Sequence, residues 1–221
     1  MVIATVGYVF SLTQIASQSK MGEGTYAINL MMQTADVAGG VAEMRTGSDA
    51  VQFTLNFGYY SVSKEGTCSV EMEGDRAAVD HNVVKYTSGG VLYGSEKILD
   101  RGSSVAAYYP EVRDAGIVYH YSKRGKTHVV FEQRPTVTVI DNPDGTVTVQ
   151  VTMVELTPKI EPLVLNRGPI SYMFQEVNST TWGPYTGSAT VTVNVKEEVG
   201  EVTVTGTVIY VHIHVIKIQA G

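Results

Sequence analysis

The hydrophobic period changes near residue 50, and that change constrains the fold more than any other feature. Before it, apolar side chains recur every three or four residues, the signature of a helix. Val2, Ile3, Val6, Val9, Phe10, Leu12 and Ile15 carry the first part of this pattern, and Tyr26, Ala27, Leu30, Met31, Ala35 and Ala38 resume it. After it the period is two: Val51, Phe53, Leu55 and Phe57 alternate with Gln52, Thr54 and Asn56, as on a half-buried strand. The chain therefore divides into a helical stalk at 1–48 and a β-rich head at 49–221. The fold class is α+β, mainly β, with an antiparallel β-sandwich head.

The stretch Val2 to Ala16 is nearly apolar all round, so as a helix it needs cover on most sides. It is shorter than the roughly 20 residues that cross a bilayer, and it lacks the basic region and cleavage site of a secretory signal. Three kinds of cover fit: membrane lipid around a longer helix, copies of the same helix, or the head itself. Gly22 and Gly24 weaken the helix, and Gly39-Gly40 is the expected kink or stop. Ala27, Ala35, Ala38 and Gly39 permit close packing, on a neighbour or across the chain's own sheet.

In the head, turn chemistry separates the strands. Ser122-Lys-Arg-Gly and Asp141-Asn-Pro-Asp-Gly mark hairpins. In the strand after the second, Val147, Val149, Val151 and Met153 are expected to face inward. Pro158, Pro162 and Pro169 mark a loop-rich crossing. The final run, Val202 to Ile218, becomes apolar on both faces, as a covered or central strand does. With 221 residues and 43% apolar composition the chain can fill one such domain plus the helix.

Candidate chemistry is sparse. A net charge of −6 gives no reason to expect nucleic acid, whose readers are basic. Lys123, Arg124 and Lys126 form the densest basic patch, at a hairpin turn. The single cysteine, Cys68, cannot form an internal disulfide and reads as a half-buried thiol. His212 and His214 share one strand face and are weak metal candidates, with His81, His120 and His128 as conceivable third ligands. Glu71/Glu73 and Glu197/Glu198 fall at strand ends, where solvated charges are the rule. No nucleophile elbow, phosphate loop or dinucleotide fingerprint occurs. No catalytic residue, cofactor or metal is therefore assigned. Asn178-Ser-Thr, expected in a loop beside Trp182, is a glycosylation sequon.

The order of features resembles archaeal type IV pilin-like surface proteins. The carriers are the helix from Val2 to about Met44 and the strand segments Tyr60-Ser-Val-Ser and Val70-Glu-Met-Glu, with Val147 to Leu156 and Ser188 to Val195. The resemblance implies a non-enzymatic cell-surface subunit. Its helices bundle with copies of themselves or enter membrane lipid, and its heads face outward. It also implies a basic leader and further helix ahead of the shortened apolar core. Two other readings stand beside it: a soluble β-sandwich module that binds carbohydrate or protein, and a viral coat or sheath protein.

Overall fold

The computed structural model describes residues 2–91, 94–102, 115–161 and 163–221, with helix side chains described from Gln14 onward. The elements are α1 (Val2–Met44), β1 (Ser48–Thr54), β2 (Gly58–Met72), β3 (Asp75–Ser88), β4 (Ile98–Arg101), β5 (Gly116–Lys123), β6 (Lys126–Gln133), β7 (Thr136–Asp141), β8 (Thr146–Pro158), β9 (Leu163–Leu165), β10 (Arg167–Val195) and β11 (Glu198–Ala220). The protein is mainly β, with one amino-terminal helix.

α1 does not stop at Gly39-Gly40 but runs 43 residues to Met44. Burial overrides the glycine penalty, because Gly24 and Gly39 lie on the inward stripe. The helix ends where Arg45 takes a positive φ of 51° and donates its N–H to Val41 O at 3.1 Å. Its inward stripe is Ala27, Leu30, Met31, Ala35, Ala38, Val41 and Ala42, each at most 1% exposed. Small residues let the axis approach the sheet closely. A Cβ built on Gly116 of β5 would lie 3.2 Å from the Ala35 Cβ.

The strands form one 11-stranded sheet among the described residues, in the order β4-β5-β6-β3-β2-β10-β11-β8-β7, with β1 on β10 and β9 on β2. The sheet is not wholly antiparallel, as the sequence led us to expect. β11 pairs with β8 in parallel from Val208/Thr146 to Ala220/Pro158. β10 lies between them in sequence and runs antiparallel to β11, so the β10–β11 hairpin returns the chain in the direction of β8.

Two main cores result. The first lies under α1, where Phe53, Tyr60, Val84, Tyr86, Phe131 and Tyr172 meet the helix. The second joins residues distant in pairing order: Cys68 and Val70 of β2 with Val147, Val149, Val151 and Met153 of β8 and Ile209, Val211 and Ile213 of β11. β8 also contacts β2 and β3, which lie three and four places from it in the pairing order, so the sheet folds back on itself. β11 serves both cores in turn. Ile209, Val211 and Ile213 fill the second, and Ile216, Ile218 and Ala220 fill the first.

Candidate functional site

The feature with functional potential is the way α1 is half docked. Its docked part begins at Glu23, a residue only 7% exposed. The Glu23 carboxylate accepts the backbone N–H groups of Asn56, at 2.6 Å, and Phe57, at 3.0 Å. It also accepts the Tyr86 hydroxyl at 3.0 Å. One helix carboxylate thus satisfies the loop between β1 and β2 and a β3 side chain.

Two further polar contacts hold the docked half. Buried Thr34 lies 3.4 Å from the Tyr60 hydroxyl, which in turn hydrogen-bonds Tyr172. Burial first, then the neighbouring Tyr172, pushes the Tyr60 phenol well above its ordinary range, so it stays neutral. Nearer the carboxyl end, Arg101 of β4 pairs with Asp36 at 2.6 Å.

Amino-terminal to Glu23 the described helix side chains are exposed, apart from half-buried Lys20. Gln14 to Ser19, Met21 and Gly22 are exposed, with Ile15 at 60% and Met21 at 53%. Backbone helix continues back to Val2. At 1.5 Å per residue, Val2 to Gly22 is about 31 Å of helix. Of the predicted assembly residues, Ile15 is solvent-exposed. Val2, Ile3, Val6, Val9, Phe10 and Leu12 stand on the same helix, and their side chains lie outside the described residues. Among the described residues, no helix is long and apolar enough to cross a membrane. A groove of about 470 Å³ opens where the helix leaves the sheet, lined by Ser19, Gly22, Tyr26, Asn56 and Phe57 among others.

The other predicted positions are dispersed. His212 and His214 do share a face of β11. Each ring instead meets a β10 hydroxyl through Nδ1, Thr181 at 2.9 Å and Ser179 at 2.8 Å. Burial, then the charges of Arg45 and His212, hold His214 below the usual imidazole range. His81 faces Glu132, His120 faces Asp100 at 2.8 Å, and His128 faces Thr87 at 3.1 Å. Among the described residues no group of three or more His, Cys, Asp or Glu is placed to hold a metal.

Asn178 is not in a loop. It lies within β10, paired to Val215 of β11, exposed, with its amide donating to Glu176 at 3.1 Å. Cys68 is buried rather than half-buried, and burial pushes its thiol up to about 12.

A buried ionic cluster escaped the sequence reading. Glu132 of β6, 1% exposed, accepts from Arg134 Nε at 2.9 Å and Lys196 Nζ at 2.9 Å, and from the Tyr119 hydroxyl at 3.3 Å. Arg134 also pairs with Glu198 of β11. Burial opposes charge on Glu132, yet His81, Arg134 and Lys196 outweigh it and hold the carboxyl far below its ordinary range. No buried side-chain polar atom among the described residues lacks a partner, and Lys196 and Glu198 clamp the β10–β11 turn onto the end of β6. Bonded partners within it stand as many as 64 residues apart in the chain, so no local motif announces it.

No protein-family model, curated protein or solved structure matches this chain.

Proposed function

We propose that this protein is a non-enzymatic structural subunit of a cell surface, pilin-like in plan, that assembles through the amino-terminal half of α1. One observation carries the reading: the helix is pinned to its own sheet from Glu23 to Ala42, yet Ile15 and Met21 are left open to water. The sequence from Val2 to Leu12 is more apolar still. A helix of that composition is stable when its sides are covered, and among the described residues the head leaves Gln14 to Ser19, Met21 and Gly22 open. Copies of the same helix, or membrane lipid, supply the cover. In this reading the mainly β head is a sandwich that points outward; contacts of β8 with β2 and β3 across the pairing order support it.

The test compares the full chain with a form lacking residues 1–21, which keeps the Glu23 contacts. Light scattering and vesicle flotation are the measurements. The expected result is assembly or vesicle binding by the full chain, loss of both on truncation, and an unchanged thermal transition of the head. Ile15→Asp in the full chain is expected to weaken assembly in the same direction. A full chain that stays monomeric and ignores vesicles would overturn the reading.

A further inference from the structure

A second site lies on the sheet face opposite α1. Tyr60, Tyr86 and Val129 point at the helix, so their sequence neighbours Tyr59, Thr87 and His128 point away from it. Tyr59 is paired with Thr87, Thr87 with His128, and His128 with Tyr121, so four side chains form one row across β2, β3, β6 and β5. The row is ordered internally: Thr87 Oγ1 lies 3.1 Å from His128 Nδ1, and the Tyr121 and His128 rings are 5.1 Å apart. It forms part of the lining of a concavity of about 410 Å³, within the roughly 300–1,000 Å³ range of small-molecule sites.

Cations crowd one side of this concavity. Lys123 and Lys126 face each other at the end of the β5–β6 hairpin. Arg124 and Gly125 form its turn, with φ of 52° and 76°. Paired positive φ values mark the turn whose twist matches the flanking strands, so the hairpin holds these side chains on a firm base. Lys85 also lines the concavity, and it is paired with Glu65. Lys123, Arg124 and Lys126 have no carboxylate partner among the described residues. This stands out in a chain of net charge −6. The field is also felt at His128, where burial first and then Lys85 and Lys126 hold the imidazole below its usual range.

We propose that this concavity binds an acidic saccharide, a sugar ring bearing a carboxylate or sulfate. The anionic group sits among Lys123, Arg124 and Lys126, and the ring rests against Tyr59 or Tyr121. The tyrosines argue for a ring with an apolar face rather than a bare inorganic anion, which needs only convergent donors. The acidic remainder of the surface argues against a long polyanion such as nucleic acid, which requires a continued basic track. The inference does not depend on assembly through α1.

The experiment is calorimetric titration of the full chain with trigalacturonate. The comparisons are a neutral galactose trisaccharide, inorganic sulfate and a single-stranded oligonucleotide, all at one ionic strength. Trigalacturonate is expected to bind, and the neutral trisaccharide at least about tenfold more weakly. Lys123→Ala/Lys126→Ala is expected to weaken trigalacturonate by about tenfold or more, with the thermal transition of the protein unchanged. Tyr59→Ser is expected to weaken trigalacturonate while leaving sulfate unaffected. Lys126→Glu is a second charge variant, for which binding is lost. Four results would each overturn the proposal: no binding of trigalacturonate, equal binding of the neutral sugar, equal or tighter binding of sulfate or the oligonucleotide, or indifference to both lysine variants.

Discussion

Glu23, on the helix, and Tyr86, on β3, meet at 3.0 Å, carboxylate to hydroxyl. The pair marks the boundary between two regimes of one helix. Carboxyl-terminal to it, α1 is part of the protein's core. Amino-terminal to it, the same helix has no cover from its own chain at any described residue from Gln14 to Ser19.

The contact predicts how tightly the boundary is held. Glu23→Ala would leave the Asn56 and Phe57 N–H groups without their acceptor. Losing a hydrogen bond to a charged acceptor at this part-buried site costs about 1.5–3 kcal/mol. Glu23→Gln keeps one acceptor oxygen and is expected to lose less. Urea denaturation gives the stability, and amide exchange at Asn56 and Phe57 gives the location. Unchanged protection of those two amides in Glu23→Ala would show that the carboxylate does not hold the loop.

The approach of α1 to β5 makes a second prediction. A methyl group at Gly116 would stand 3.2 Å from the Ala35 Cβ and 3.3 Å from the Phe131 ring. Gly116→Ala is therefore expected to destabilise by about 1–3 kcal/mol, the usual cost of overpacking. Ala35→Gly should offset part of that loss in the double variant, even though glycine alone weakens a helix. A double-mutant cycle in denaturant measures the coupling. Strict additivity would mean that the two residues do not limit the approach.

These contacts mark what sequence alone could reach. The period change near residue 50 was legible, as was the inward set Val147, Val149, Val151 and Met153, because local alternation records which face is buried. The course of β10 from Arg167 to Thr186 was not. Pro169 and Pro184 lie in it, and between Phe174 and Val191 it pairs, among the described residues, on one side only, with β11. An exposed edge rich in Ser and Thr has no apolar alternation to detect. The parallel β8–β11 pair was hidden for another reason: Thr-Val alternation fixes a strand's faces but not its neighbour or direction. The unbroken passage of α1 through Gly39-Gly40 reflects packing against the sheet, which propensity does not contain. In the second site, the basic hairpin was legible as a charge cluster. Its alignment with Tyr59 and Thr87 depends on strand register across four strands.

Cys68 offers a direct probe of the second core. Its thiol is 3% exposed and pushed up to about 12, so at pH 8 it is neither accessible nor ionised. Alkylation of the native protein is expected to proceed only as fast as the surrounding strands open. Adding urea below the transition should raise the rate in step with the fall in stability. Rapid labelling at full native stability would contradict the packing of Cys68 beside Val70 and Met153.

The Glu132 cluster predicts the acid limb of stability. Its carboxyl, held far below the unfolded value by His81, Arg134 and Lys196, stays ionised in the folded protein. A depressed folded pKa contributes stability that is complete above the unfolded glutamate value of about 4.3. That contribution is lost as pH falls through that value toward the folded one. Glu132→Gln removes the charge while Arg134 keeps Glu198 and Lys196 keeps Glu65. Breaking a buried pair costs about 3–5 kcal/mol, so the variant should be less stable by that order at pH 7. The gap should narrow steadily as pH drops from 5 to 3, because the wild type is then losing what the variant never had. Urea midpoints for both proteins across that range provide the check. A gap that stays constant with pH would mean that Glu132 does not carry its charge into the fold.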